Sequence, residues 1–167
     1  VEVGWPTVFS TVPLTTVEEA QDVKLRVPPS SATTLYWKEV GAAGVPMGVV
    51  DMIPALKTGQ VKGIHTSTVY GVAIGLHKLA PHVIYNAPRQ HDVGTVTVSG
   101  KKWDKLTDVQ RSALLKTADY VDELRKGIRG AEQALLGKAA KEGATVTKIS
   151  GTQMAGWEAK AADAQQA

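Results

Sequence analysis

Three times between residues 23 and 78 a short β-forming run gives way to a helix-forming stretch, with only brief links between them. Strands are predicted over 23–27, 45–47 and 61–66, and helices over 32–40, about 51–57, and from Ser67 or Thr68 to about 78. The punctuation agrees with this division. Ser30 or Ser31 caps the first helix and Gly41 ends it, while Thr58-Gly59 closes the second. Pro54 falls in the first turn of its helix, where amide donors have no partner to lose. Parallel strands need a crossover, usually a helix, to bring the chain back. The alternation therefore predicts an α/β fold with a mainly parallel sheet flanked by helices.

The remainder is read in the same way. Residues 1–13 are strand-like and then turn-like, and Thr16-Val17-Glu18-Glu19 is a capping box. Two further strands are expected over 83–87 and 93–99, separated by Pro88 and the polar Arg89-Gln90-His91-Asp92. Thr107-Asp108-Val109-Gln110 is a second capping box. Beyond it Leu114, Ala118, Val121, Leu124, Ile128, Ala131, Leu135 and Ala139 recur at helical spacing. One long helix after Leu106 follows; about 35 residues at about 1.5 Å each would make a rod of about 50 Å. Gly127, Gly130 and Gly137 leave open a division into two helices. Gly143 ends the run, a strand follows over 144–149, and a terminal helix runs from Ser150 through Trp157. Residues 161–167 are expected to fray. Trp5, Trp103 and Trp157 read as core or junction residues.

Several function classes lose support. The net charge of +3 comes from 19 basic and 16 acidic residues spread along the chain, which argues against a nucleic-acid partner. The absence of cysteine excludes disulfides, thiolate metal sites and thiol catalysis. His65, His77, His82 and His91 pair with no carboxylate at metal-ligand spacing, so no metal is expected. No glycine-rich phosphate loop or nucleophile elbow occurs, and no cofactor is expected. An enzyme using His65 or His91 as a base lacks a carboxylate to orient either ring. No apolar run approaches the roughly 20 residues that span a bilayer. The opening Val1-Glu2-Val3-Gly4-Trp5 has no initiator methionine and reads as a processed or cut product.

Arg26 ends the strand over 23–27, just before Pro28-Pro29. Ligands of open α/β sheets bind at that edge, and a guanidinium there matches a carboxylate. A surface ion pair is the plainer alternative. His65-Thr66 ends another strand, so both reach the same crevice or else cap and solvate the following helix. Trp37 and Tyr36, on the helix after Arg26, either wall a pocket or fill the core. Tyr70 is a lesser pocket candidate.

The order of motifs resembles the C-terminal part of the solute receptors of tripartite ATP-independent periplasmic (TRAP) transporters. Thr15-Thr16-Val17-Glu18-Glu19-Ala20-Gln21-Asp22-Val23-Lys24-Leu25-Arg26-Val27-Pro28 is similar to the family's T-P-E-D-L-K-G-L-K-I-R-V-P. Val45-Pro46-Met47 resembles its P-x-P-M, and Pro54-Ala55-Leu56-Lys57-Thr58-Gly59-Gln60-Val61-Lys62-Gly63 its T-A-L-Q-T-G-V-V-D-G. Ser99-Gly100-Lys101-Lys102-Trp103-Asp104-Lys105-Leu106 resembles S-K-K-W-W-D-K-L. The resemblance implies a periplasmic-binding-protein type II-like lobe of a periplasmic, non-enzymatic receptor. Such a receptor closes on a small organic acid and passes it to membrane subunits. Arg26 takes the role of the arginine that grips the carboxylate. Departures follow: Thr66 stands where the family has asparagine, and Val49 where an aromatic residue is common. A second arginine of many members, near Trp5 here, has no counterpart.

The expected ligand-binding set is Arg26, Thr66, His65, Val49 and Trp37. The expected division is a junction strand and lead-in helix over 1–22, the ligand-binding βαβαβα unit over 23–80, crossover strands over 81–106, a bracing helix over 107–143, and a terminal strand and helix over 144–167. A whole member carries a first, N-terminal lobe ahead of these residues. Its absence would weaken binding and bare apolar surface, which favours a homodimer or an interaction module as the alternative.

Overall fold

The computed structural model describes residues 2–87 and 92–166. The predicted polar segment around His91 lies outside the described residues. Strand β1 (Glu2–Gly4) leads into β2 (Pro6–Ser10). A short α1 (Val17–Ala20) follows, with the Thr16 capping box formed as expected. Next come β3 (Lys24–Val27), α2 (Ser31–Val40), β4 (Ala43–Pro46), a 3-10 turn at Val49–Asp51, α3 (Met52–Lys57) and β5 (Gly63–Ser67). Gly41, at φ +91, ends α2 in the left-handed conformation that a side chain would strain.

The single helix expected from residue 68 to about 78 is two: α4 (Thr68–Ala73) and α5 (Leu76–Leu79). Gly75 at φ +79 turns the chain between them. Strand β6 (His82–Tyr85) follows, then β7 (Asp92–Val93). The strand expected over 93–99 stops there: residues 94–99 are neither helix nor strand. An α6 turn (Gly100–Trp103) precedes α7 (Asp108–Lys116), a 3-10 turn at Thr117–Tyr120 and α8 (Val121–Lys141). The chain ends in β8 (Thr145–Lys148) and α9 (Gly151–Gln166). The expected fraying over 161–166 does not occur, because Ala161 and Ala164 pack against the core and alanine favours helix.

The six-stranded sheet has the order β4-β3-β5-β2-β6-β8. Five strands share one direction. Only β2 opposes them, pairing antiparallel with both β5 and β6. Alternation along β2 sends Val8 to one face and Phe9 to the other, so all five of its residues are buried. On the Val8 face, Leu25, Val27 and Ile84 pack against Tyr36, Trp37, Val40, Met154 and Trp157 of α2 and α9. On the Phe9 face, Ile64 and Val83 pack against α3, α4, α5 and the last turns of α8, with Leu136 and Ala139. Each large side chain so buried contributes about 1.5–3 kcal/mol. The result is three layers, helices over both faces of one sheet. The ribbon β1-β7 stands apart as a two-stranded sheet.

The long helical run covers 34 residues, 108–141. Its one irregularity is the 3-10 turn at Thr117–Tyr120, not a break at Gly127, Gly130 or Gly137. Its buried residues are Glu132, Leu136 and Ala139. The apolar stripe before them, including Leu114, Leu115 and Leu124, faces outward.

Candidate functional site

Arg26 is the third residue of β3, opposite Val45 of β4 and Ile64 of β5. It is 3% exposed. Its guanidinium donates from Nε (3.0 Å) and Nη2 (2.8 Å) to the Met47 carbonyl, and from Nη1 (2.9 Å) to the His65 carbonyl. Three of five N–H donors are thus spent on backbone oxygens, which fixes the plane of the group. Among the described residues no carboxylate pairs with it, so the surface ion pair considered from sequence is not what the fold provides. Burial pulls the guanidinium below its usual range, and Tyr70 of α4 is near enough to oppose that shift. A buried cation with fixed donors and no counter-charge is suited to an incoming anion.

The register sorts the other candidates. Arg26 lies opposite Ile64, and Ile64 shares its face with Thr66 two residues on. Thr66 is half-buried at the carboxyl end of β5, beside Thr7 of β2. His65 points to the other face. There its Nδ1 accepts from the Trp37 indole Nε1 at 3.0 Å. Trp37 is fully buried, edge-on to Tyr36, His65 and Trp157. The indole only donates, so the imidazole proton sits on Nε2, which is buried with no hydrogen-bond partner among the described residues. Burial first, and the Arg26 charge second, push His65 down to about 3. So the imidazole and Trp37 stand behind the sheet from Arg26, and only the His65 carbonyl reaches it. Val49 is exposed on the 3-10 turn, two residues beyond the Met47 carbonyl. Two anchors of Arg26 are main-chain carbonyls, for which residue type carries no signal. Tyr70 was the legible neighbour, placed on the helix after Thr66. Among the described residues no group of three metal-ligating side chains comes together.

The fold has known counterparts. Residues 1–167 match the family model described as bacterial extracellular solute-binding protein, family 7. The chain belongs to this family. A curated relative, the sialic acid-binding periplasmic protein SiaP of Vibrio cholerae, is 28% identical over 143 residues, covering 81% of this chain and 42% of that protein. The periplasmic ectoine-binding protein of the TeaABC TRAP transporter of Halomonas elongata superposes with a TM-score of 0.89 at 20% identity, over 99% of this chain and 55% of that one. A TRAP periplasmic solute-binding protein of Citrobacter koseri with bound D-glucuronate superposes at 0.84 with 23% identity, over 99% and 54%. The likeness to these structures carries the fold: the α/β lobe expected from sequence is the family 7 lobe. The chain spans about half the length of the solved relatives and less of the curated one. Family 7 proteins bind solutes and are not catalysts.

Proposed function

We propose that this chain is the solute-gripping part of a TRAP receptor, working in the periplasm and holding a small organic acid through Arg26. The observation that carries this reading is the guanidinium itself, buried, locked by two carbonyls and facing no carboxylate of the described residues. An acid ligand supplies the missing counter-charge. The names of two relatives, one for sialic acid and one for a bound glucuronate, agree with an acid. Thr66 adds a hydroxyl beside the guanidinium, and Val49 gives an aliphatic wall. His65 and Trp37 act from behind: the indole holds the ring, and the ring holds the strand whose carbonyl aims Arg26. The receptor works by binding its solute more tightly when closed than when open, and membrane subunits of the transporter receive the solute.

Melting the protein against a panel of small carboxylates tests the reading. A ligand at about 100 times its dissociation constant adds about 2.7 kcal/mol of stability. Arg26→Ala should remove that gain while leaving the protein folded. A gain retained in the variant would sink the clamp.

One observation supports a second reading, an association module. Val93, Val96, Val98, Val109, Leu114, Leu115, Tyr120 and Leu124 are all exposed, and all fall within residues 93–124. In this chain alone, a second copy is the natural cover.

A further inference from the structure

Trp5 is the single residue between the ribbon strand β1 and the sheet strand β2, and its peptide is held from two directions. Its N–H donates to Oε1 of Glu132 at 2.6 Å. Its carbonyl accepts from the Thr68 N–H at 3.3 Å and from the Thr68 hydroxyl at 3.4 Å. That hydroxyl also shares a buried 2.6 Å hydrogen bond with Thr7. Thr68 opens α4 two residues after Thr66, so the grip lies at the edge where Arg26 stands. Glu132 is 2% exposed on α8. Gly4 lets the backbone come this close: it has φ +110, and a Cβ there would lie 2.6 Å from the Glu132 Oε1.

We propose that Glu132 is a positioning residue that fixes the ribbon β1-β7 against the Arg26 and Thr66 edge of the sheet. The inference deepens the receptor reading and rests on it for its functional consequence. The ribbon belongs to neither face of the six-stranded sheet, yet it enters that sheet at the binding edge. The 2.6 Å contact joins residues 127 apart in sequence and ties the exit of the ribbon to α8, so it sets the angle of the ribbon. A cavity of about 180 Å³ beside Glu132, lined also by Tyr85, Asn86 and Lys148, gives substitutes room without repacking.

Amide hydrogen exchange on the whole chain tests the grip without any ligand. Glu132→Leu should speed exchange at Trp5 and in β1 roughly tenfold to a hundredfold, with the β2, β5 and β6 amides unchanged. Glu132→Gln keeps an accepting oxygen and should stay within about threefold of the parent. Glu132→Ala, which removes the same acceptor with a smaller side chain, should reproduce the Leu effect if the Leu variant fails to fold. Unchanged protection at Trp5, loss spread evenly over the sheet, or equal effects of Gln and Leu would each overturn the proposal. Acid affinity in the same variants is the second readout, expected to weaken about tenfold in Glu132→Leu and to persist in Glu132→Gln. If the parent binds no carboxylate at all, the stated consequence for binding fails, while the exchange pattern still decides the grip.

Discussion

His65 uses its main chain and its ring for separate tasks. The carbonyl receives the Arg26 guanidinium, and the ring receives the Trp37 indole on the opposite face. Protonating the ring would put a hydrogen on Nδ1, against the indole N–H. The folded value is about 3 and the ordinary one 6.5, so between these limits the unfolded chain binds one proton more than the folded one. The stability from a neutral His65 is complete above pH 6.5 and falls by about 1.4 kcal/mol per pH unit on acidification toward 3. Glu142 acts in the same sense. His77 and Lys78 hold it down to about 2, so its contribution is present above 4.5 and fades below. The variant His65→Leu should lose about 1–3 kcal/mol at neutral pH, from the unpaired Trp37 donor. Its melting temperature should then fall less steeply than that of the parent between pH 6.5 and 4.5. Parallel slopes would show that another group titrates. At this scale the sequence revealed Arg26 by its place just ahead of two prolines, but it grouped His65 with Thr66 in one binding set, and the fold sends the two side chains to opposite faces. Which of the two joins Arg26 depends on the register that sets Arg26 against Ile64, and no local pattern encodes that.

Among the elements, glycines separate two kinds of constraint. In α8 a Cβ at Gly127, Gly130 or Gly137 would meet nothing within 4 Å. Each replacement by alanine should therefore stabilise by about 0.5–1 kcal/mol, by removing backbone freedom from the unfolded chain. In α4 the reverse holds: a Cβ on Gly71 would run into the Phe9 ring. Gly71→Ala should cost about 1–3 kcal/mol through overpacking. Denaturant midpoints of the α8 variants should rise and that of Gly71→Ala should fall, and a shared direction would contradict this account. Sequence spacing identified α2, α3, the long helical run and both capping boxes because those signals are local. It misjudged elements whose fate depends on neighbours. Residues 94–99 carry strand-forming valines but are neither helix nor strand, and α9 persists to Gln166 because Ala161 and Ala164 reach the core.

For the whole molecule, apolar surface collects at one end. Val96 is 81% exposed and Leu115 66%, and a groove beside them is lined by Ala118, Val121 and Leu124. Light scattering over a range of concentrations should show self-association, which Leu115→Glu with Leu124→Glu should abolish. A monomer at every concentration would remove the association reading. The alternation over 23–78 made the parallel majority of the sheet legible, since each crossover is short. The place of β2 was not, because its partners are remote in sequence: Val8 lies between His65 and Ile84. That arrangement has a kinetic consequence. The middle strand of the sheet is made before either of its partners and closes only after two long loops have surrendered their entropy. Until β5 emerges both edges of β2 stand bare, and the edge that β6 covers stays bare until Tyr85 is made. The interval between synthesis of β2 and of β6 is when a nascent chain of this topology is most open to mispairing and most in need of a chaperone.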